Sequence, residues 1–216
     1  MKKIIDHQLY LVAHQGTQTE DEFIKNILLA VEGGVNIVQL REKNLSSLEL
    51  KALGKKLLQV LRPLKVPLII NDRVDIAYEI EADGVHLGQS DLSTIAARAI
   101  LGNDALIGLS IENMEQAHTA QNFPVNYIAA SPIFATQTKI DCAHPWGLVG
   151  LRKLCALSSH PVFAIGGINH INVDKVMDCG VSGIAVISAI LNAPCPKETS
   201  QVLINKMEEY AAQRMG

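Results

Sequence analysis

The hydrophobic pattern of the chain repeats one unit. A short apolar run is followed by a polar turn and then by a longer stretch whose apolar residues recur every three or four positions. The apolar runs cover residues 9–12, 37–40, 67–70, 84–87, 106–109, 127–130, 161–165 and 183–187. Each is too short for a helix and apolar at consecutive positions, as in a strand buried on both faces. Between the runs the helix signals are local. Thr19-Glu20-Asp21-Glu22 has capping-box form, in which the threonine oxygen and the glutamate three residues on answer free amides of the first turn. Phe23, Ile27 and Val31, with Ile24 and Leu28, then share one helical face, and Gly33-Gly34 closes the segment. Ser46-Ser47-Leu48-Glu49 repeats the device ahead of Leu50, Leu53, Leu57 and Leu61. The same reasoning predicts helices over 74–80, 92–101 and 169–179, the last stopped by Gly180.

Strands alternating with helices imply a parallel sheet with right-handed crossovers. Eight cycles in 216 residues predict a single (β/α)8 TIM barrel spanning residues 1–216 as one domain, since such barrels need about 200–250 residues. The rival architecture is an open doubly wound sheet. No G-x-G-x-x-G follows the first strand, and no Pro/Gly/Ser-rich linker divides the chain.

Composition narrows the function classes. Apolar residues make up 48% and aromatics 4%, so the core is aliphatic, as a doubly covered parallel sheet requires. A net charge of −3 without a basic cluster argues against nucleic acid as partner. No apolar run approaches membrane-spanning length, and Met1-Lys2-Lys3-Ile4-Ile5-Asp6 lacks the apolar core of a secretory signal. Cys142, Cys155, Cys179 and Cys195 form no C-x-x-C pair and no zinc-ligand spacing, which fits reduced thiols in a cytoplasmic protein. Cys142 sits in a polar loop with nothing nearby to activate it. Assembly into a homo-oligomer is left open.

In a (β/α)8 barrel the active site lies at the C-terminal strand ends. Those positions carry Gln39-Leu40-Arg41-Glu42-Lys43, Asn71-Asp72, His86 to Asp91, Ser110, Ser131 to Lys139, Gly166-Gly167 and Ile187-Ser188. Amides, hydroxyls, cations and acids gathered on one rim suit a highly charged, phosphorylated ligand. Asp72 and Asp91 are open to two readings: N-caps of the helices that follow, or a two-carboxylate seat for Mg²⁺ that also holds a phosphate. Arg41 and Lys43 suit phosphate oxygens, with a solvated loop as the alternative. The glycine and serine positions after strands seven and eight fit a phosphate-binding rim, or simple tight turns. His86 is expected to be packed or hydrogen-bonded rather than a catalytic base, His144 is a weaker candidate still, and Tyr10 and Tyr127 are expected in the core.

Gln39-Leu-Arg41-Glu-Lys43, Ile70-Asn71-Asp72-Arg73, Ala82-Asp-Gly-Val-His86-Leu-Gly-Gln89-Ser-Asp91, Ile107-Gly-Leu-Ser110, Ser131-Pro-Ile-Phe-Ala-Thr136-Gln-Thr138-Lys139 and Ala164-Ile-Gly-Gly-Ile168, in this order, resemble the thiamine-phosphate synthase family over nearly the whole chain. The resemblance implies Mg²⁺-dependent coupling of two small molecules, 4-amino-5-hydroxymethyl-2-methylpyrimidine diphosphate and hydroxyethylthiazole phosphate. The products would be thiamine phosphate and pyrophosphate, with pyrophosphate departing before the thiazole nitrogen attacks. By matched position, Asp72 and Asp91 would hold Mg²⁺. Gln39, Leu40, Arg41, Glu42, Lys43, Asn71, Ser110 and Lys139 would bind the pyrimidine diphosphate, with Arg41, Lys43, Ser110 and Lys139 acting in catalysis. Thr136, Gln137, Thr138, Gly167, Ile187 and Ser188 would bind the thiazole phosphate. Ala130-Ser131-Pro132, where the family more often has glycine before the proline, and Val12-Ala13-His14-Gln15 depart from its pattern. A related thiazole tautomerase, a thiazole-phosphate-binding barrel without catalysis, and a sugar-phosphate isomerase barrel are the alternatives.

Overall fold

The computed structural model describes residues 8–135 and 144–215. Cys142 lies outside the described residues. Within them, parallel strands close into one ring in chain order: β1 (Gln8–Ala13), β2 (Ile37–Leu40), β3 (Leu68–Asn71), β4 (Gly84–Leu87), β5 (Leu106–Ile111), β6 (Tyr127–Ala130), β7 (Val162–Ile165) and β8 (Gly183–Val186). β1 pairs with both β2 and β8, so the sheet has no free edge and the open-sheet alternative is excluded. The helices α1 (Glu20–Glu32), α2 (Ser47–Leu61), α3 (Val74–Glu79), α4 (Thr94–Leu101), α5 (Met114–Ala120), α6 (Gly147–Leu157), α7 (Val173–Met177), α8 (Ser188–Leu191) and α9 (Pro196–Met215) follow or connect the strands. Both expected capping boxes are present, at Thr19 with Glu22 and at Ser46 with Glu49.

The helix expected over 169–179 is shorter and begins at Val173. Asn169 Oδ1 accepts the Ile171 N–H, Asn172 Oδ1 accepts the Asn169 N–H, and Asn172 Nδ2 donates to the Gly167 carbonyl. Asparagine side chains thus engage the backbone groups that a first helical turn would use, which is how Asn competes with helix.

Alternation along each strand sends one set of side chains into the ring and the other toward the helices. Leu9, Leu11, Val38, Leu40, Leu68 and Ile70 join the layer between sheet and helices, whereas Tyr10, Val12, Ile37, Ile69, Leu106, Tyr127, Ala129, Phe163 and Ala185 fill the interior. Three aromatic rings form the interior floor. Their centroids lie 6.0 Å apart for Tyr10–Tyr127, 5.7 Å for Tyr10–Phe163 and 5.0 Å for Tyr127–Phe163, all edge to face. Space for them comes from a missing side chain: a Cβ at Gly108 would sit 2.1 Å from Tyr127 Cζ and 2.5 Å from His86 Nδ1.

At the opposite end of the barrel, Arg98 ties α4 to the entries of β5 and β6. Its guanidinium donates to the carbonyls of Gly102 (2.8 Å), Ala105 (2.7 Å) and Pro124 (3.1 and 3.2 Å) and to Asn126 Oδ1 (2.6 Å). Asn126 Oδ1 also accepts the Ile107 N–H at 2.9 Å, so one side chain and one guanidinium satisfy this junction together. With Arg98 only 9% exposed, water cannot readily replace the donors. Arg98→Ala is expected to cost about 3 kcal/mol, a fall in Tm of roughly 6–12 °C in a thermal melt for a chain of this size. Arg98→Lys is expected to recover less than half of the loss, because a point-charge ammonium cannot reach the divergent acceptors.

Candidate active site

A cavity of about 490 Å³ opens at the C-terminal ends of the strands. Above the aromatic floor its wall brings together Gln39, Arg41 and Lys43 from the end of β2, Asn71 and Asp72 from β3, Asp91 from the loop after β4, and Ser110 from β5. Gly167, Ile187 and Ser188 from the ends of β7 and β8 close the other side. Two of the residues expected there do not line it. Leu40 alternates outward into the sheet–helix layer and is fully buried, and the Glu42 carboxylate accepts the Gln15 N–H instead. Thr136, Gln137, Thr138 and Lys139 lie outside the described residues.

The acid pair is not a pair of helix caps. α3 begins after Arg73 without a side-chain cap, and α4 is capped by Ser93, whose Oγ accepts the Ala96 N–H at 3.2 Å. The Asp91 carboxylate accepts the Gly88 N–H at 2.6 Å, folding the loop after β4 back on itself. Asp72 holds a left-handed backbone, φ 60°, one residue beyond the last β3 pair. Its N–H still reaches the His86 carbonyl at 2.9 Å, so the strand pairing continues while the side chain is turned over the cavity. That conformation costs an L-residue of order 1 kcal/mol, and Asp tolerates it better than most.

Electrostatics join the two acids. Burial, then the hydrogen bond and the charge of Asp91, push the Asp72 carboxyl up to about 6; Lys43 and Asn71 act in the opposite sense without cancelling the shift. Two neighbouring carboxylates resist ionising together. A hard divalent cation relieves that repulsion, and such an ion needs few protein oxygens where water and phosphate complete its shell. Among the described residues no group of three or more His, Cys, Asp or Glu forms a denser metal cage. The donor set therefore suits a cation shared with a phosphorylated ligand.

On the far side the backbone is shaped for close approach. Gly166 and Gly167 have φ of 106° and 68°, and Cβ atoms there would lie 2.8 Å from the Cβ atoms of Pro132 and Phe134, respectively. The segment after β6 rests on this turn: Ile133 N–H donates to the Ile165 carbonyl (3.0 Å) and Phe134 N–H to the Gly166 carbonyl (3.1 Å). Only glycine meets both the backbone angle and the contact.

Several further groups line or support the cavity. Tyr10 and His86 face the cavity as well as being packed. His86 Nε2 pairs with Ser110 Oγ at 2.9 Å, and Gln89 Nε2 donates to the Ser110 carbonyl. Glu112 and Ser131 also reach the wall. His86, Gln89 and Ser131 belong to the strand-end motifs, whereas the signal for Tyr10 and Glu112 is positional only: Tyr10 follows the inward phase of β1 and Glu112 begins the loop beyond β5.

The thiamine monophosphate synthase family model matches residues 9–190. The thiamine-phosphate synthase of Leptospira biflexa is 45% identical over 202 residues, covering 92% of this chain and 96% of that protein. That of Chlamydia abortus is 39% identical over 196 residues, covering 91% and 92%. The chain belongs to the thiamine monophosphate synthase family. Among solved structures, thiamine phosphate pyrophosphorylase from Pyrococcus furiosus superposes with a TM-score of 0.85 at 35% identity, covering 94% of this chain and 96% of that one.

The pH dependence of stability tests the carboxylate pair. With its pKa raised from the ordinary 3.8 to about 6, Asp72 favours the folded state while protonated, and this contribution is lost as the pH rises through about 6. Above that pH the ionised pair opposes folding in the metal-free protein. Asp72→Asn is therefore expected to gain Tm relative to the parent as pH rises from 4 to 7 in the presence of a chelator, by roughly 2–4 °C. A difference that stays flat with pH would contradict the coupling. Asn's greater tolerance of the left-handed backbone shifts all points alike.

Proposed function

We propose that this chain joins 4-amino-5-hydroxymethyl-2-methylpyrimidine diphosphate to hydroxyethylthiazole phosphate, releasing pyrophosphate and forming thiamine phosphate, as a cytoplasmic enzyme. The observation that carries the proposal is a two-ended cavity in a chain of this family. Its β2–β5 side gathers the cations, amides and acids, and its β7–β8 side is a glycine-shaped rim. Two phosphorylated substrates require two such ends.

The chemistry suits these groups. The C–O bond to pyrophosphate breaks, and the C–N bond forms from the thiazole nitrogen, which keeps the positive charge in the product. No proton is lost from the reacting atoms, so the reaction needs neither a nucleophilic side chain nor a matched acid/base pair. Its main requirement is stabilisation of charge on the leaving group. Arg41 and Lys43 supply fixed positive charge on that side, Ser110 and Asn71 supply neutral hydrogen bonds, and Gln39 faces the pyrimidine. Asp72 and Asp91 would hold Mg²⁺, which would supply positive charge to the departing diphosphate. Gly167, Ile187 and Ser188 face the thiazole phosphate. Lys139 is assigned to pyrophosphate, and Thr136, Gln137 and Thr138 to thiazole phosphate, by matched position. The aliphatic walls at Val12, Ala129, Ile165 and Ala185 keep water from the exposed methylene carbon.

The test is direct: both substrates, the protein and MgCl₂ are mixed, and thiamine phosphate and pyrophosphate are measured together. Equal amounts of the two products are expected. Absence of both, with isomerisation of a thiazole phosphate, would instead support a tautomerase; binding of thiazole phosphate without either reaction would leave a non-catalytic barrel. Arg41→Met is expected to lower kcat by about 10²–10³ through loss of leaving-group stabilisation. An unchanged kcat with a raised KM for thiazole phosphate would move Arg41 to the other end of the cavity.

A further inference from the structure

Beneath the cavity a continuous hydrogen-bonded chain crosses the barrel. Gln39 Nε2 donates to Tyr10 OH (2.8 Å), Tyr10 OH and Tyr127 OH share a hydrogen bond (2.9 Å), Tyr127 OH pairs with His86 Nδ1 (3.1 Å), and His86 Nε2 pairs with Ser110 Oγ (2.9 Å). Both ends, Gln39 and Ser110, line the cavity, whereas Tyr127 lies under it. Tyr10 and Tyr127 are each 1% exposed, so water cannot replace a broken link between them.

Such a chain has a direction. One Gln39 Nε2–H is given to Tyr10, an orientation of the amide that turns Oε1 toward the cavity. Tyr10 then passes its single hydroxyl proton to Tyr127, and Tyr127 passes its own to His86 Nδ1. A neutral imidazole that accepts at Nδ1 carries its proton on Nε2 and donates to Ser110. The Ser110 proton is thereby free for the cavity. The reversed chain turns the Gln39 amide to show its NH₂ and makes Ser110 an acceptor. With His86 neutral, a mixed arrangement sets two donors or two acceptors against each other in a buried site, at the cost of a lost buried hydrogen bond.

We propose that Tyr127, together with Tyr10 and His86, couples the hydrogen-bonding character of Gln39 to that of Ser110, so that the cavity selects a pyrimidine offering a donor at Gln39 and an acceptor at Ser110 together. This rests on the activity proposed above and adds a positioning role for residues beneath the site. A 4-aminopyrimidine satisfies both ends: its exocyclic amino group donates to Gln39 Oε1, and Ser110 donates to a ring nitrogen or a diphosphate oxygen. A 4-oxopyrimidine inverts the first group and meets a like partner.

The test compares kcat/KM for the 4-aminopyrimidine diphosphate and its 4-oxo analogue in the parent enzyme and in Tyr127→Phe, which removes one buried hydroxyl and no cavity-lining atom. The preference for the amino substrate is expected to fall about tenfold, the worth of roughly one hydrogen bond. The loss should appear mainly in the KM of the pyrimidine substrate, with the KM for thiazole phosphate within about twofold of the parent. A folded Tyr127→Phe that retains the parent's preference would overturn the coupling. If Tyr127→Phe does not fold, Tyr10→Phe cuts the adjacent link and is expected to lose the same preference. Unfolding of both variants would make the chain a folding element and would also overturn the proposal. A parent protein that forms no thiamine phosphate refutes the activity, whereas one that does so while folded variants keep their selectivity refutes the coupling alone.

Discussion

Closure of the barrel is the constraint on which the remaining features depend. Strands of four to six residues, none of them at an edge, leave no unpaired sheet backbone around the ring, but they enclose a space that side chains must fill. Aromatics are scarce in this chain, yet Tyr10, Tyr127 and Phe163 stand together in that space, and Gly108 makes room for one of them. They plug the lower interior and leave the C-terminal half open as the cavity. The floor of the site is therefore the inner core of the barrel. Two of its three rings carry hydroxyls, and this brings polar chemistry into an otherwise apolar plug without leaving those groups unpartnered.

The cavity has opposite electrostatic demands at one end. Arg41 and Lys43 bring positive charge to the rim, while Asp72 and Asp91 crowd two acids beside it. The strained backbone at Asp72 turns its side chain over the opening rather than into the helix that follows. The metal-free protein carries both the backbone cost and the repulsion. A cation shared with a diphosphate, as proposed for this site, would relieve the repulsion and tie the stability of this corner to its ligand.

Much of this was legible from spacing. Consecutive apolar positions such as 37–40 and 84–87 coincide with β2 and β4, and the two capping boxes mark the starts of α1 and α2, because these signals depend on near neighbours in the chain. Residues at the strand ends followed from the barrel, so Gln39, Arg41, Lys43, Asn71, Asp72, Asp91, Ser110, Gly167, Ile187 and Ser188 meet in one cavity. What depends on side-chain direction was not legible. Leu40 lies beside Gln39 in the motif but on the other face of the strand, and Glu42 bonds the loop after β1, a partner 27 positions away. Setting aside the capping reading of the acids needed the backbone angle at Asp72 and the presence of Ser93 at the true cap. The Tyr10–Tyr127 bond joins residues 117 positions apart, so composition and periodicity could suggest only that both are core.

The central claim is that Asp72 and Asp91, beside Arg41 and Lys43, form the seat of a metal-bound pyrophosphate. Titration of Mg²⁺ by calorimetry, with and without pyrophosphate, tests it most directly. The account predicts that pyrophosphate raises Mg²⁺ affinity at least about tenfold, a coupling of some 1.4 kcal/mol, and that Asp91→Ala abolishes this gain. Pyrophosphate that binds equally well without metal, or a metal affinity indifferent to Asp91→Ala, would contradict it.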